Sequence, residues 1–130
     1  MKLGNFDVVE KHIGGGAESI EKRFNYAPVV GVKTTSISFT NAALRALRAK
    51  VGSEIIYATI KDQLYIAVRT GTINVYGYKL QKPTSGHTGR SGVPVTSVPK
   101  QLKTFPKGYY VVGEPTFESG LDWYKMNKIY

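Results

Sequence analysis

The sequence contains no cysteine and only two histidines, His12 and His87. Without cysteine, disulfides, iron–sulfur clusters, thiolate zinc sites and cysteine nucleophiles are excluded, and a reducing compartment is indicated. A zinc site needs three or four converging ligands, and neither histidine has a second ligand at helical or hairpin spacing. We therefore expect no metal and no cofactor.

Long hydrophobic runs are also missing. No stretch approaches the roughly 18 apolar residues that a membrane-spanning helix needs. Charged, glycine or asparagine residues interrupt residues 1–10, so they do not predict a secretory signal peptide. We expect no membrane partner, and a cytoplasmic location, or a virion location if the chain is phage-encoded.

Negative charge is scarce. The 130 residues include 18 Lys and Arg but only 9 Asp and Glu, a formal net charge of +9. All but two of the charged residues from Lys33 to Lys107 are basic, the exceptions being Glu54 and Asp62. Such a stretch is typical of a basic face that binds nucleic acid or an acidic protein. Alternatively, solvated lysines keep a β-rich protein soluble and protect its sheet edges.

The pattern of the chain predicts a mainly β protein with one short helix, folded as a small β-barrel or sandwich-like domain. Hydrophobic residues make up 42% of the sequence, enough for a real core at this length. Residues 1–28 are predicted to form an N-terminal arm with a hinge at residues 14–16 and a short helix over 17–24. Residues 29–130 are predicted to form a single domain. Its parts are a strand–helix–meander core (29–80), an extended loop rich in Pro, Ser, Thr and Gly (81–106), and a C-terminal hairpin (107–130).

The predicted helix begins after a cap at Thr40 or Asn41 and stops at Gly52. Leu44, Leu47 and Val51 follow helical spacing and form an apolar stripe. Arg45 and Arg48 point away from that stripe. Alternating patterns predict strands at 29–32, 37–40, 55–60, 64–68, 73–80, 109–112 and 123–126.

Residues 33–68 resemble the swapped-hairpin fold of AbrB-type regulators and MazE-type antitoxins. The likeness rests on a strand ending at Phe39, a helix with apolar Ala43 and Leu47, then Gly52 and strand residues Ile55, Tyr57, Leu64 and Ile66. It implies a strand–helix–hairpin core and a DNA-binding role. The two arginines with which these families approach DNA are not matched, because their positions hold Ser36 and Leu44.

No motif predicts an enzyme. Residues 84–91 mimic a phosphate-binding loop, but Thr84 replaces the required glycine, Arg90 replaces the lysine, and Pro94 and Pro99 prevent a following helix. Glu114, Glu118 and Asp122 are close enough in sequence for acid–base chemistry, yet a solvated turn also explains them. No serine has the surroundings of a nucleophile elbow.

Two sets of side chains are predicted to contact partners. Tyrosine is common at protein interfaces and in stacking platforms for single-stranded nucleic acid, although several of these rings must be core. The predicted interface aromatics are Tyr76, Tyr78, Tyr109 and Trp123. The cations predicted to contact nucleic acid or an acidic partner are Lys33, Arg45, Arg48, Lys50, Lys61, Arg69, Lys79 and Arg90.

These patterns support two hypotheses for the function. The first is a non-enzymatic structural or assembly protein, such as a small capsid-associated or connector component of a phage virion, that docks on other protein subunits through its arms. The second is an AbrB-like DNA-binding transcriptional regulator that uses the basic face. The first is favoured, because the family arginines are missing and the resemblance does not reach beyond residue 68.

Overall fold

The computed structural model describes residues 2–3, 6–7, 26–71, 73–82 and 93–129. It confirms the predicted class, since the described residues form a barrel-like antiparallel sheet with one short helix. Strands β1 (Lys2–Leu3) and β2 (Phe6–Asp7) pair with each other, apart from this sheet. The sheet contains β3 (Val29–Val32), β4 (Ile37–Phe39), β5 (Glu54–Ile60), β6 (Gln63–Val68), β7 (Tyr78–Lys79), β8 (Val95–Thr96), β9 (Gly108–Glu118) and β10 (Leu121–Lys128). Helix α1 (Asn41–Leu47) lies between β4 and β5.

The sheet runs in the order β7-β5-β6-β10-β9-β3-β4-β8, and every neighbouring pair is antiparallel. Its two outer strands meet just beyond β7, where Gln81 and Val95 exchange two backbone hydrogen bonds of 2.9 and 2.8 Å. The sheet therefore closes into a barrel at this level, and among the described residues no strand pairs with the rest of this edge of β5.

The barrel has two distinct ends, because antiparallel neighbours begin and finish at alternate ends. The turns from β3 to β4 and from β5 to β6 lie at one end, with the 3-10 turn Lys100–Leu102 that follows β8. We call this the turn end. Helix α1 and the β9–β10 turn lie at the opposite end, which we call the helix end.

The core fills the barrel and seals its ends. Alternate residues of the strands point inward, and α1 adds Leu44 and Leu47 to the same cluster at the helix end. Leu102 of the 3-10 turn is 1% exposed and joins this cluster from the turn end. The largest wholly buried side chains are Phe39, Ile37, Ile55, Leu64, Ile66, Leu80, Leu102 and Met126.

Thr40 is the N-cap of helix α1, and it is one of the two residues predicted for that position. Its side chain accepts a hydrogen bond from the Ala43 N–H, with the extended backbone typical of a cap. The predicted stop at Gly52 was wrong, because the helix ends where Arg48 adopts the left-handed conformation at φ 57°. The chain beyond Arg48 is not helical, so Val51 leaves the predicted apolar stripe and is exposed.

Several other elements differ from the prediction. The strand predicted over 73–80 is present only at Tyr78–Lys79, because residues 73–77 fold over the outside of the barrel. The C-terminal hairpin has longer strands, since only Ser119 and Gly120 separate β9 from β10, and both have positive φ angles. Residues 93–106 of the predicted loop contain β8 and the 3-10 turn, because Thr96 and Leu102 are buried in the barrel.

Some predicted features lie outside the described residues. They are the hinge at 14–16, the short helix over 17–24, both histidines, and residues 83–92 of the predicted loop together with Arg90.

Candidate functional site

The predicted basic contacts are divided between the two ends of the barrel. Lys33 and Lys61 are exposed in the β3–β4 and β5–β6 turns, at the turn end. Arg45 and Arg48 are exposed on α1, at the helix end, with exposed Lys50 just after them. Lys79 is exposed on β7, directly opposite Glu54 at the helix-end start of β5. The single basic face expected from the sequence stays a prediction, and the described cations are divided between the opposite ends of the strands.

Two basic side chains are held by the fold itself. The Arg69 guanidinium donates to a Glu54 carboxylate oxygen at 3.0 Å and to the Ile73 carbonyl at 3.0 and 3.2 Å. The Lys107 ammonium donates to the carbonyls of Leu102, Lys103 and Phe105 at 3.2, 2.7 and 3.0 Å. Arg69 thereby pins the chain after β6, and Lys107 closes the 3-10 turn.

The Glu54 carboxylate completes the link from β5 to the chain before β7. Its second oxygen accepts the Gly77 N–H at 3.0 Å. That hydrogen bond, and next the neighbouring Arg69 charge, lower the pKa of Glu54 below its ordinary value of 4.5. The segment between β6 and β7 is therefore fastened to the barrel by ionised Glu54.

The four predicted interface aromatics have different surroundings. Tyr76 is 78% exposed, with the Arg69 guanidinium 5.1 Å from its ring centre. Tyr78 is half-buried and packs edge-on against the ring of Tyr57 at 5.9 Å. Tyr109 is also half-buried, and its ring lies over Gly31, where an added Cβ would meet Tyr109 Cε1 at 3.1 Å. Tyr109 thus covers a gap in the sheet.

Trp123 lies at an apolar surface on the outside of the barrel. It is half-buried, and its indole N–H donates to the Glu118 carbonyl at 3.2 Å. Its ring helps to line a cavity of about 330 Å³ on the outer surface of β5, β6, β10 and β9. We call this surface the side face, and its lining residues are Ala58, Ile60, Tyr65, Thr116, Glu118, Ser119 and Trp123.

The register of the strands builds the side face. Ala58 lies directly opposite Tyr65 on β6, and Trp123 lies opposite Thr116 on β9. Residues 55, 64 and 66 fill the barrel, so their alternates turn outward and Ile60 remains 59% exposed. The side face is therefore mainly apolar and aromatic, with Thr116, Ser119 and Glu118 as the polar residues in its lining.

A second groove runs beside the side face, and Ala58 lines both. It has a volume of about 300 Å³ and passes between β5 and the 3-10 turn. Tyr57 is one of the residues that line this groove, and its hydroxyl hydrogen-bonds the hydroxyl of Thr96. Burial raises the pKa of Tyr57, so this hydroxyl stays protonated well beyond neutral pH.

Among the described residues, no group of three or more histidine, cysteine, aspartate or glutamate side chains is placed to hold a metal ion. Glu114, Glu118 and Asp122, the carboxylates considered for acid–base chemistry, are all exposed on the β9–β10 hairpin. No helix in the described ranges is long and apolar enough to cross a membrane.

The sequence predicted an interface role for Trp123, which stays a prediction, and did not predict that Ala58, Ile60 and Tyr65 share one surface with it. The available signal was the alternation of Ile56, Ala58 and Ile60 along β5, which matches a second, outward apolar row. Only the pairing of β5 with β6, and of β6 with β10, brings this row beside Trp123.

Comparison with known proteins adds no information about the site. No protein-family model matches the chain, and no significant match to a curated protein or a solved structure was found.

Proposed function

We propose that this chain is a non-enzymatic structural protein that docks on another protein subunit through its side face. The observation that carries the proposal is the apolar cavity around Ile60, Tyr65 and Trp123 on the outside of an otherwise filled barrel. Aromatic rings with one polar atom are typical of protein interfaces, and burial of one isoleucine side chain stabilises by about 1.5–3 kcal/mol.

The distribution of charge also supports a protein partner. The exposed cations of and just after α1 lie at the helix end, and Lys33 and Lys61 lie at the turn end. The side face is lined by apolar and aromatic residues with Thr116, Ser119 and Glu118, and Lys125 beside Tyr65 is the cation next to it. A nucleic-acid surface needs cations along the face that meets the phosphates. The narrower expectation of a phage virion component stays a prediction.

Site-specific photocrosslinking in the producing cells tests this function. A photoreactive phenylalanine analogue replaces Ile60 in one variant and exposed Thr34, in the β3–β4 turn, in the matched control. We expect protein adducts of defined mass from position 60 and none from position 34. Equal yields at both positions, or no protein adduct at position 60, would contradict a docking role for the side face.

DNA binding is the second candidate, favoured by the exposed cations of α1. Arg45, Arg48 and Lys50 are exposed, and the first turn of the helix carries no acidic residue. In this role the three side chains contact phosphates, so affinity falls as salt rises. The resemblance to AbrB-type regulators stays a prediction.

Retardation of duplex DNA over a salt series tests this second candidate. Each of Arg45→Ala and Arg48→Ala is expected to reduce the salt slope by about one phosphate contact. Lys33→Ala, at the opposite end of the barrel, is the matched control and is expected to leave the slope unchanged. Absence of retardation at low salt would exclude this function.

A further inference from the structure

In the part of the chain that the structure describes, the barrel is open along most of one edge of β5. Strand β7 has two residues, and it pairs only with Glu54 and Ile55. Before Tyr78 the chain leaves the edge, because Gly77 is held by the Glu54 carboxylate and Ile73 packs on the outer surface. From Ile56 to Ile60, the edge of β5 on this side has no neighbouring strand among the described residues.

The backbone groups at this edge can be assigned from the hydrogen bonds at the start of β5. Glu54 C=O accepts from Arg69 N–H on the β6 side, and Ser53 C=O accepts from Leu80 N–H on the β7 side. Because these groups alternate along a strand, Tyr57 and Thr59 direct their N–H and C=O groups toward the open edge. No described residue forms a backbone hydrogen bond with them on that side.

The shape of the groove matches this edge. Four consecutive residues, Ile56 to Thr59, line one wall, which places the groove along the edge of β5 rather than along one of its faces. Pro99, Gln101 and Leu102 also line the groove, together with Val75, Tyr76 and Tyr78 from the segment that leads into β7. Because the Gln81–Val95 bridge closes the barrel between β7 and β8, the short β7 fills only part of the space between β5 and β8, and the rest has the position of one strand.

The charges beside the groove favour an acidic occupant. Lys61 follows the exposed end of β5, and Lys100 precedes Gln101, which lines the groove; both lysines are exposed. Asp62 is the neighbouring acid in the turn, whereas Glu54 is already paired with Arg69 at 3.0 Å. With Lys61 and Lys100 against Asp62, the net charge beside the groove is positive, which favours a segment with acidic residues.

We propose that an extended, acidic segment of a partner protein binds in this groove as an added β-strand, antiparallel to β5. Its backbone pairs with Tyr57 and Thr59, and its acidic side chains lie near Lys61 and Lys100. Such strand addition takes its affinity from main-chain hydrogen bonds and its specificity from alternate side chains. The inference rests on the proposed function, because it requires the partner to be a protein.

Selection from a displayed pool of random heptapeptides on the full-length chain tests the proposal. Thr59→Pro removes the N–H group that faces the open edge and leaves the β6 ladder intact, since the groups of residues 58 and 60 face β6. Thr59→Ala keeps the N–H group and is the matched control. We expect enriched peptides rich in Asp or Glu, with at least tenfold weaker binding to Thr59→Pro and unchanged binding to Thr59→Ala.

A second measurement guards against a folding defect in Thr59→Pro. Peptides enriched on the wild-type chain are resynthesised with N-methyl groups on alternate amides, and one of the two alternations is expected to abolish binding. The proposal is overturned if no peptide is enriched, if enriched peptides are basic, or if neither alternation weakens binding. A chain that sediments as a dimer and becomes monomeric in Thr59→Pro would assign the edge to a second copy, which also overturns it.

The two proposals fail separately. Peptide binding that depends on Thr59, without protein adducts from position 60, supports the groove and contradicts the side face. Protein adducts from position 60 without any enriched peptide support the proposed function and contradict strand addition.

Discussion

The Thr40 hydroxyl connects three parts of the fold, and its removal is expected to be costly. It accepts hydrogen bonds from Val29 N–H at 3.0 Å and Ala43 N–H at 3.1 Å, and it donates to Ala27 C=O at 3.1 Å. The residue is completely buried. Thr40→Val keeps the shape of the side chain and removes all three hydrogen bonds. Because the site is completely buried, water does not replace them.

The magnitude follows from the groups left unpaired. Loss of the helix cap costs about 1 kcal/mol, and a buried backbone group without a partner costs about 1–3 kcal/mol. Besides removing the cap, Thr40→Val leaves the Val29 N–H and the Ala27 C=O unpaired, so we expect it to lower the free energy of unfolding by about 3–7 kcal/mol. Thr40→Ser keeps the hydroxyl and loses one methyl group, which costs about 1 kcal/mol.

Urea denaturation of the two variants, with linear extrapolation, checks this difference. The slope of the free energy with urea is expected to stay constant, because the surface exposed on unfolding does not change. If Thr40→Val and Thr40→Ser differ by less than about 1 kcal/mol, the hydroxyl does not hold these segments together as argued.

Three further predictions concern single polar groups. The lowered pKa of Glu54 adds stability that is complete above pH 4.5 and is lost as the pH falls through the folded-state pKa. Accordingly, Glu54→Gln should be less stable than wild type at pH 7. When denaturation is repeated over a series of falling pH values, the difference in stability should disappear below the folded-state pKa of Glu54. Ser38→Ala should raise stability by about 1 kcal/mol, since the buried Ser38 hydroxyl has no hydrogen-bond partner among the described residues; thermal unfolding measures the gain. Tyr57→Phe loses the hydrogen bond to Thr96 and should lower stability by about 1 kcal/mol in urea, whereas an equal stability would show that this contact contributes nothing.

Local patterns were enough for the fold class and for most strands. The alternation around Ile37 and Phe39 predicted β4, and the hydroxyl of Thr40 predicted the start of α1, because both signals lie within a few residues. The end of α1 was misplaced, since Arg48 takes a left-handed conformation that glycine is better suited to adopt.

Pairings between distant segments could not be predicted from local patterns. The barrel closes where Gln81 meets Val95, and the sequence between and around them predicted only a loop. Pro94 and Pro99 interrupt any strand pattern there, yet two residues between them suffice for β8. The groove beside β5 was not predicted for the same reason. The edge of β5 is open because β7 pairs with only its first two residues, and that pairing cannot be seen in the sequence.

The candidate site was predicted in part. The interface role predicted for Trp123 stays a prediction, whereas the Tyr109 ring covers Gly31, a contact that depends on the pairing of β3 with β9. Similarly, charge counting identified exposed cations without revealing that the β3–β4 turn and α1 occupy opposite ends.

The mass of the particle that contains this chain, measured after gentle extraction from the producing cells, tests the central claim most directly. The account predicts a mass well above that of one chain, unchanged by nuclease, and reduced to that of one chain by Ile60→Lys but not by Thr34→Lys. A single-chain mass for the wild type, or a mass that falls only after nuclease treatment, would contradict docking on protein through the side face.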